Sequence, residues 1–214
     1  MLQSKLPAVG TTIFTRMSAL AQKQGALNLS QGFPDFAAPE ALRKALARHA
    51  LEGHNQYAPM AGLPELREAI AAQLARHRNV ECDPESEITV LPGATEAIYC
   101  AITACINLGD EVILLAPCYD SYRPAVLLAG GVPVHIPLTP GTFRPDWARV
   151  EAAITRRTRM LVINSPHNPT GAVLEKEDLE TLNALVANYG LLLVSDEVYE
   201  YLVFDGRVHH SALQ

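Results

Sequence analysis

From Ile88 onward, short apolar runs alternate with longer stretches in which apolar residues recur every three or four positions. The runs at 88–91, 111–116, 132–138, 160–164 and 191–195 read as buried strands. Between them the periodicity predicts helices from Gly93 to near Leu108, over 122–129, over 147–154 and over 176–188. The last carries Leu179, Leu182, Leu185 and Val186 on one face. Upstream, an irregular arm with one short helical pattern reaches to about Gln24, and 26–30 reads as a short apolar strand. That strand opens onto the loop Gln31-Gly32-Phe33-Pro34-Asp35-Phe36, marked by its glycine and proline. A helix starts at Pro39, with Leu42, Ala45 and Leu46 as its stripe, and a second starts near Pro64, with Leu66, Ile70 and Leu74. Apolar strands alternating with helices predict an α/β fold: a three-layer sandwich whose mostly parallel sheet is covered on both faces. No repeat, linker or low-complexity segment interrupts it. The expected organisation is an arm over 1–25 followed by a single large-domain portion over 26–214.

Composition narrows the class without naming a function. The chain has 214 residues, 49% hydrophobic and 19% charged, an ordinary globular balance. A unit of that size can bury roughly 70% of its unfolded surface. The formal net charge is -6, and the densest basic cluster, Arg156, Arg157 and Arg159, falls at a helix–strand junction. A nucleic-acid partner needs a positive footprint, so none is expected. The start Met1-Leu2-Gln3-Ser4-Lys5-Leu6-Pro7 has no apolar core of a signal peptide, and no apolar run approaches the roughly 20 residues of a membrane span. Cys82, Cys100, Cys105 and Cys118 show no metal spacing, and Cys100 and Cys105 sit in an almost wholly apolar helix, which places them in the core. Together these features predict a cytoplasmic chain without membrane partners.

The candidate chemistry collects at strand ends, where open α/β sheets bind ligands. Gly93-Ala94-Thr95 follows one strand and opens a helix. It is either a plain turn with a threonine cap or an anion cradle made of backbone N–H groups. Tyr119, just past Pro117, either packs or covers a planar ring. Asn168-Pro169-Thr170-Gly171 suits a turn by its chemistry alone, but its amide could also bond a ligand, as could Tyr199. Asp196 ends the run Leu191-Leu192-Leu193-Val194-Ser195. Beside such a run a carboxylate costs free energy unless it is a cap, solvated or paired. A protonated pyridine nitrogen would pair with it, and pyridoxal phosphate carries one.

With these segments the chain resembles the fold-type I, class I/II aminotransferases. The segments Asn28-Leu29-Ser30-Gln31-Gly32-Phe33-Pro34-Asp35, Gln56-Tyr57-Ala58, Gly93-Ala94-Thr95-Glu96-Ala97, Pro117-Cys118-Tyr119-Asp120, Asn168-Pro169-Thr170-Gly171 and Ser195-Asp196-Glu197-Val198-Tyr199 carry the likeness. Ser4-Lys5-Leu6-Pro7 and Gly10-Thr11-Thr12-Ile13-Phe14 resemble the methionine and kynurenine aminotransferase branch. The resemblance implies pyridoxal 5'-phosphate as cofactor, held at its phosphate by Gly93, Ala94 and Thr95. Tyr119 would stack on the ring, Asp196 would pair with the ring nitrogen, and Asn168 and Tyr199 would bond the ring hydroxyl. Gly32 and Asn168 would meet the substrate carboxylate, and Tyr57 would reach the phosphate of a partner subunit in a homodimer. The implied reaction moves an amino group from methionine, or an aromatic or kynurenine-like amino acid, to a 2-oxo acid. A C–S β-lyase could use the same pocket.

One departure matters. The family attaches its cofactor to a lysine in a Ser-x-x-Lys setting after a strand, and Lys5, Lys23, Lys44 and Lys176 all lie elsewhere. No residue of this chain is therefore assigned as catalytic. The expectation is a chain that stops before the Schiff-base lysine, lacks the C-terminal part and most of the small domain, and is inactive alone.

Overall fold

The computed structural model describes residues 3–32 and 34–214; Met1, Leu2 and Phe33, which belong to the segments named above, lie outside the described residues. In chain order the elements are α1 (Ile13–Gln24), α2 (Glu40–Leu51), α3 (Pro64–Arg78), α4 (Ala94–Cys105), β1 (Glu111–Ala116), α5 (Tyr122–Leu128), β2 (Val132–Pro137), α6 (Trp147–Ala152), β3 (Thr158–Asn164), α7 (Lys176–Tyr189) and β4 (Leu192–Asp196). The four strands pair in the order β2-β1-β3-β4, every pair parallel.

Alternation along β1 explains the layers. Ile113 and Leu115 point to one face, where they meet Val150 of α6 and Leu179, Leu182 and Leu185 of α7. Val112 and Leu114 point to the other, against Ile98 and Ile102 of α4 and Tyr122 and Val126 of α5. Each such side chain taken out of water contributes about 2 kcal/mol, so both faces of the sheet must stay covered. This is the three-layer α/β sandwich with a parallel sheet that the pattern predicts. Among the described residues, no helix is long and apolar enough to cross a membrane.

Two apolar runs depart from their reading as strands. Residues 26–30 form no strand, and Leu27 and Leu29 are 83% and 85% exposed. Residues 88–91 likewise form no strand among the described residues; Val90 N–H instead donates to the Ala61 carbonyl at 2.9 Å. That approach needs Gly62, at φ 102, because a Cβ there would sit 2.7 Å from the Val90 side chain. A strand is defined by its ladder partner, so an apolar run without one forms no strand. Cys100 is also corrected: it is exposed and Cys105 half-buried, because α4 buries only the Ile98–Ile102 stripe.

Candidate active site

The parallel register of β3 and β4 sets Asn164 beside Asp196 at the carboxyl ends of the strands. Asn164, buried, acts as a staple between the loops that follow. Its Nδ2 donates to the Asp196 carbonyl at 2.8 Å, and its Oδ1 accepts the Asn168 N–H at 2.7 Å. Ser165 N–H also donates to the Asp196 carbonyl, at 3.1 Å, and Asn168 Nδ2 reaches Tyr199 Oη at 3.4 Å.

Asp196 is only 8% exposed. Its Oδ2 accepts the Tyr122 phenol at 2.6 Å, and its Oδ1 accepts the Val198 N–H at 3.2 Å. Burial, and then the hydrogen bond and charge of Asp196, push the Tyr122 phenol far above its ordinary range, so it remains a donor. Among the described residues, the ion pairs lie elsewhere and no cationic side chain neutralises Asp196.

A cavity of about 210 Å³ opens in front of this carboxylate. Ala94 and Thr95 from the start of α4 form one wall, and Tyr119, Asn168, Asp196 and Tyr199 form the others, with Ile98 and Val198 as apolar floor. Gly93 stands one residue behind the wall, at φ 93, a conformation that favours glycine. The first helical N–H to find a backbone partner is that of Ala97, to Gly93 O, which leaves the N–H groups of the first turn available to an anion. A second cavity, about 560 Å³, shares Tyr119, Asn168 and Tyr199 with the first and adds Phe14, Ser30, Gln31, Gly32, His167, Pro169 and Leu202. Gly32 thus stands in the outer chamber. Tyr57 is fully exposed and outside both chambers. Among the described residues, no lysine or arginine lines either chamber; Lys44 and Lys176 pair on the surface with Glu40 and Glu180.

Sequence reasoning missed Tyr122, Asn164 and His167. The His167 ring meets Thr170 Oγ1 at 2.7 Å, and burial holds its pKa below the ordinary value, partly offset by a bond with the Pro117 backbone, so it stays neutral near pH 7. Glu197 faces away from the chambers and collects donors from Ser195 Oγ at 2.7 Å, Ala212 N at 2.9 Å and His209 Nε2 at 2.9 Å. It ties the segment after β4 to the end of the chain. Glu200 and His209 come within reach of Glu197 as a metal ligand set would, but Arg78 already pairs with Glu200.

The buried Asp196 carboxylate thus shares one cavity with the N-terminus of α4 at the strand ends of a parallel sheet. The chain belongs to the aminotransferase class I and II family, whose model matches residues 24–213. That family is pyridoxal-phosphate-dependent. Methionine aminotransferase of Escherichia coli K12 is 50% identical over 211 residues, covering 99% of this chain and 55% of the relative. A solved E. coli structure with a methionine aminotransferase function matches with TM-score 0.95 at 50% identity, covering 100% of this chain and 56% of that one. The structure of N-succinyldiaminopimelate aminotransferase from Mycobacterium tuberculosis matches with TM-score 0.94 at 46% identity, covering 98% and 55% of the two chains. The chain therefore spans about half the length of the relatives it matches.

Proposed function

We propose that this chain carries the cofactor-holding part of a pyridoxal-phosphate-dependent aminotransferase. The complete protein would move an amino group from methionine, or an aromatic or kynurenine-like amino acid, to a 2-oxo acid. The observation that carries this reading is Asp196: nearly buried, hydrogen-bonded at both oxygens, and lacking any cation among the described residues. Each carboxylate oxygen keeps a free lone pair, and a protonated ring nitrogen supplies the missing positive charge.

The other walls fit the same group. The N-terminus of α4, with Thr95 and Ala94, suits a phosphate, and Gly93 allows the close approach. Tyr119 offers its face to the ring, while Asn168 and Tyr199 offer hydrogen bonds to the ring hydroxyl. When bound, the cofactor supplies an electron sink for bonds at the substrate α-carbon. Gly32 and Asn168 would meet the substrate carboxylate in the outer chamber. Phe14, Pro169 and Leu202 give that chamber apolar walls, which suit a thioether or aromatic side chain. This feature, with the E. coli relative, supports a methionine-type donor.

With none of the lysines at either chamber, attachment of the cofactor and the proton shuttle fall to residues of the complete protein outside this chain, and the chain alone is inactive. The reading includes a cytoplasmic homodimer in which Tyr57 completes the phosphate site of the partner subunit. Its test is spectroscopic. The complete protein should carry a visible absorbance band that bleaches on adding methionine and returns with a 2-oxo acid. Absence of such a band at every pH would overturn it. Release of pyruvate and thiol without a 2-oxo acid acceptor would favour the C–S lyase, a reaction that the aminotransferase relatives do not favour.

A further inference from the structure

We propose that Tyr122 is a positioning residue for the ring-nitrogen carboxylate, and that it acts through Asp196 alone. This rests on the reading of Asp196 given above. Tyr122 is 2% exposed and does not line the chamber, so it cannot touch an occupant. Its hydroxyl reaches Asp196 Oδ2 at 2.6 Å, the short distance of a charge-assisted O–H···O⁻ bond. Its ring is held in the core with Ile98, Ala125 and Val126, and edge-on to Tyr119 with centroids 5.8 Å apart.

The physical need is rotational. The terminal torsion of an aspartate is broad, so a carboxylate tethered at one oxygen turns easily. The tether at Oδ1 is the longer one, 3.2 Å from Val198 N, and it comes from a loop two residues along the same chain segment. Tyr122 holds the other oxygen from α5, a packed element that cannot follow a turning carboxylate. With both oxygens held, the remaining lone pairs stay aimed into the chamber. Tyr119 and Tyr122 thus play complementary parts. The phenol in front offers its face to the ring, and the phenol behind orients the group at the ring nitrogen.

The experiment compares two ligands that need no lysine. Pyridoxamine 5'-phosphate and its 1-deaza analogue, with CH in place of the ring nitrogen, are titrated into the complete protein and into Tyr122→Phe, which keeps the ring and removes the hydroxyl. The variant should lose about tenfold in affinity for pyridoxamine 5'-phosphate, the scale of one hydrogen bond to a charged group, and less than about twofold for the analogue. Equal losses for both ligands, or none for either, overturn the inference. A double-mutant cycle guards against a simple packing effect: in an Asp196→Ala background, Tyr122→Phe should cost nothing further, and a full additive loss overturns the inference. If the unsubstituted protein binds both ligands equally, the ring-nitrogen reading itself fails and takes this one with it. If it prefers the ring nitrogen and Tyr122→Phe keeps that preference whole, only the role of Tyr122 falls.

Discussion

Asp196 and Glu197 are consecutive carboxylates with opposite duties. Asp196 turns toward the chamber with no cation of its own, and Glu197 turns inward to a shell of donors. In the complete enzyme, Asp196→Ala should lower turnover by about a thousandfold, as removal of a preorganised electrostatic group does. On the proposed reading, Thr95→Ala would remove one hydroxyl from a phosphate that backbone N–H groups would also hold, and should cost about tenfold. Steady-state kinetics of the two variants decide this; similar small losses would undo the role assignments. For Glu197, burial alone would raise the pKa, but the bonds from His209 and Ser195 outweigh it and hold the carboxyl below its ordinary 4.5. A carboxyl depressed in the folded state contributes stability above its unfolded pKa, and that contribution fades as pH falls through the folded value. Thermal melts should therefore show stability dropping below about pH 4.5, and Glu197→Gln should flatten that drop. The front of the chamber was legible because Tyr119, Asn168, Asp196 and Tyr199 each stand at or just past an apolar run. Tyr122 was not: it bonds a residue 74 positions away, and nothing local announces which acid a helix-borne phenol will meet.

At the scale of elements, Asp178 shows how one surface helix is locked to its neighbour. It is buried at the first turn of α7 and accepts Arg144 Nη2 at 2.7 Å, Trp147 Nε1 at 3.0 Å and the Glu175 N–H at 3.0 Å. One carboxylate thus caps α7 and fastens the start of α6. Asp178→Ala strands these donors and should destabilise the fold by about 3 kcal/mol, read as a fall in the urea midpoint at unchanged slope. The strands β1 to β4 and their helices were readable because both faces of the sheet are covered and the period of the pattern survives. The runs at 26–30 and 88–91 carry the same local signal and lack a partner among the described residues, and pairing is a tertiary fact that an apolar run cannot announce. The same limit misplaced Cys100. The residues of α4 are apolar on more than one face, yet only one face has the sheet beneath it; Tyr99 on the outside is 43% exposed.

At the scale of the molecule, Tyr57 stands fully exposed and away from the chambers of its own chain. If it completes the site of a partner subunit, two crippled forms should rescue one another. Tyr57→Phe and Asp196→Ala enzymes, mixed so that subunits exchange, place both defects in one site of each hybrid dimer and leave the other intact. Activity of the mixture should rise well above either parent; no gain on mixing would assign Tyr57 to its own subunit or to neither. The two chambers carry a further consequence, because Tyr119, Asn168 and Tyr199 belong to both. A molecule arriving in the outer chamber cannot move those side chains without changing the fit of whatever fills the inner one. Thermodynamic reciprocity then makes the effect symmetric: by whatever factor an outer ligand tightens the inner occupant, the inner occupant tightens the outer ligand. An unreactive methionine mimic would therefore double as a gauge of how firmly the inner chamber holds its occupant.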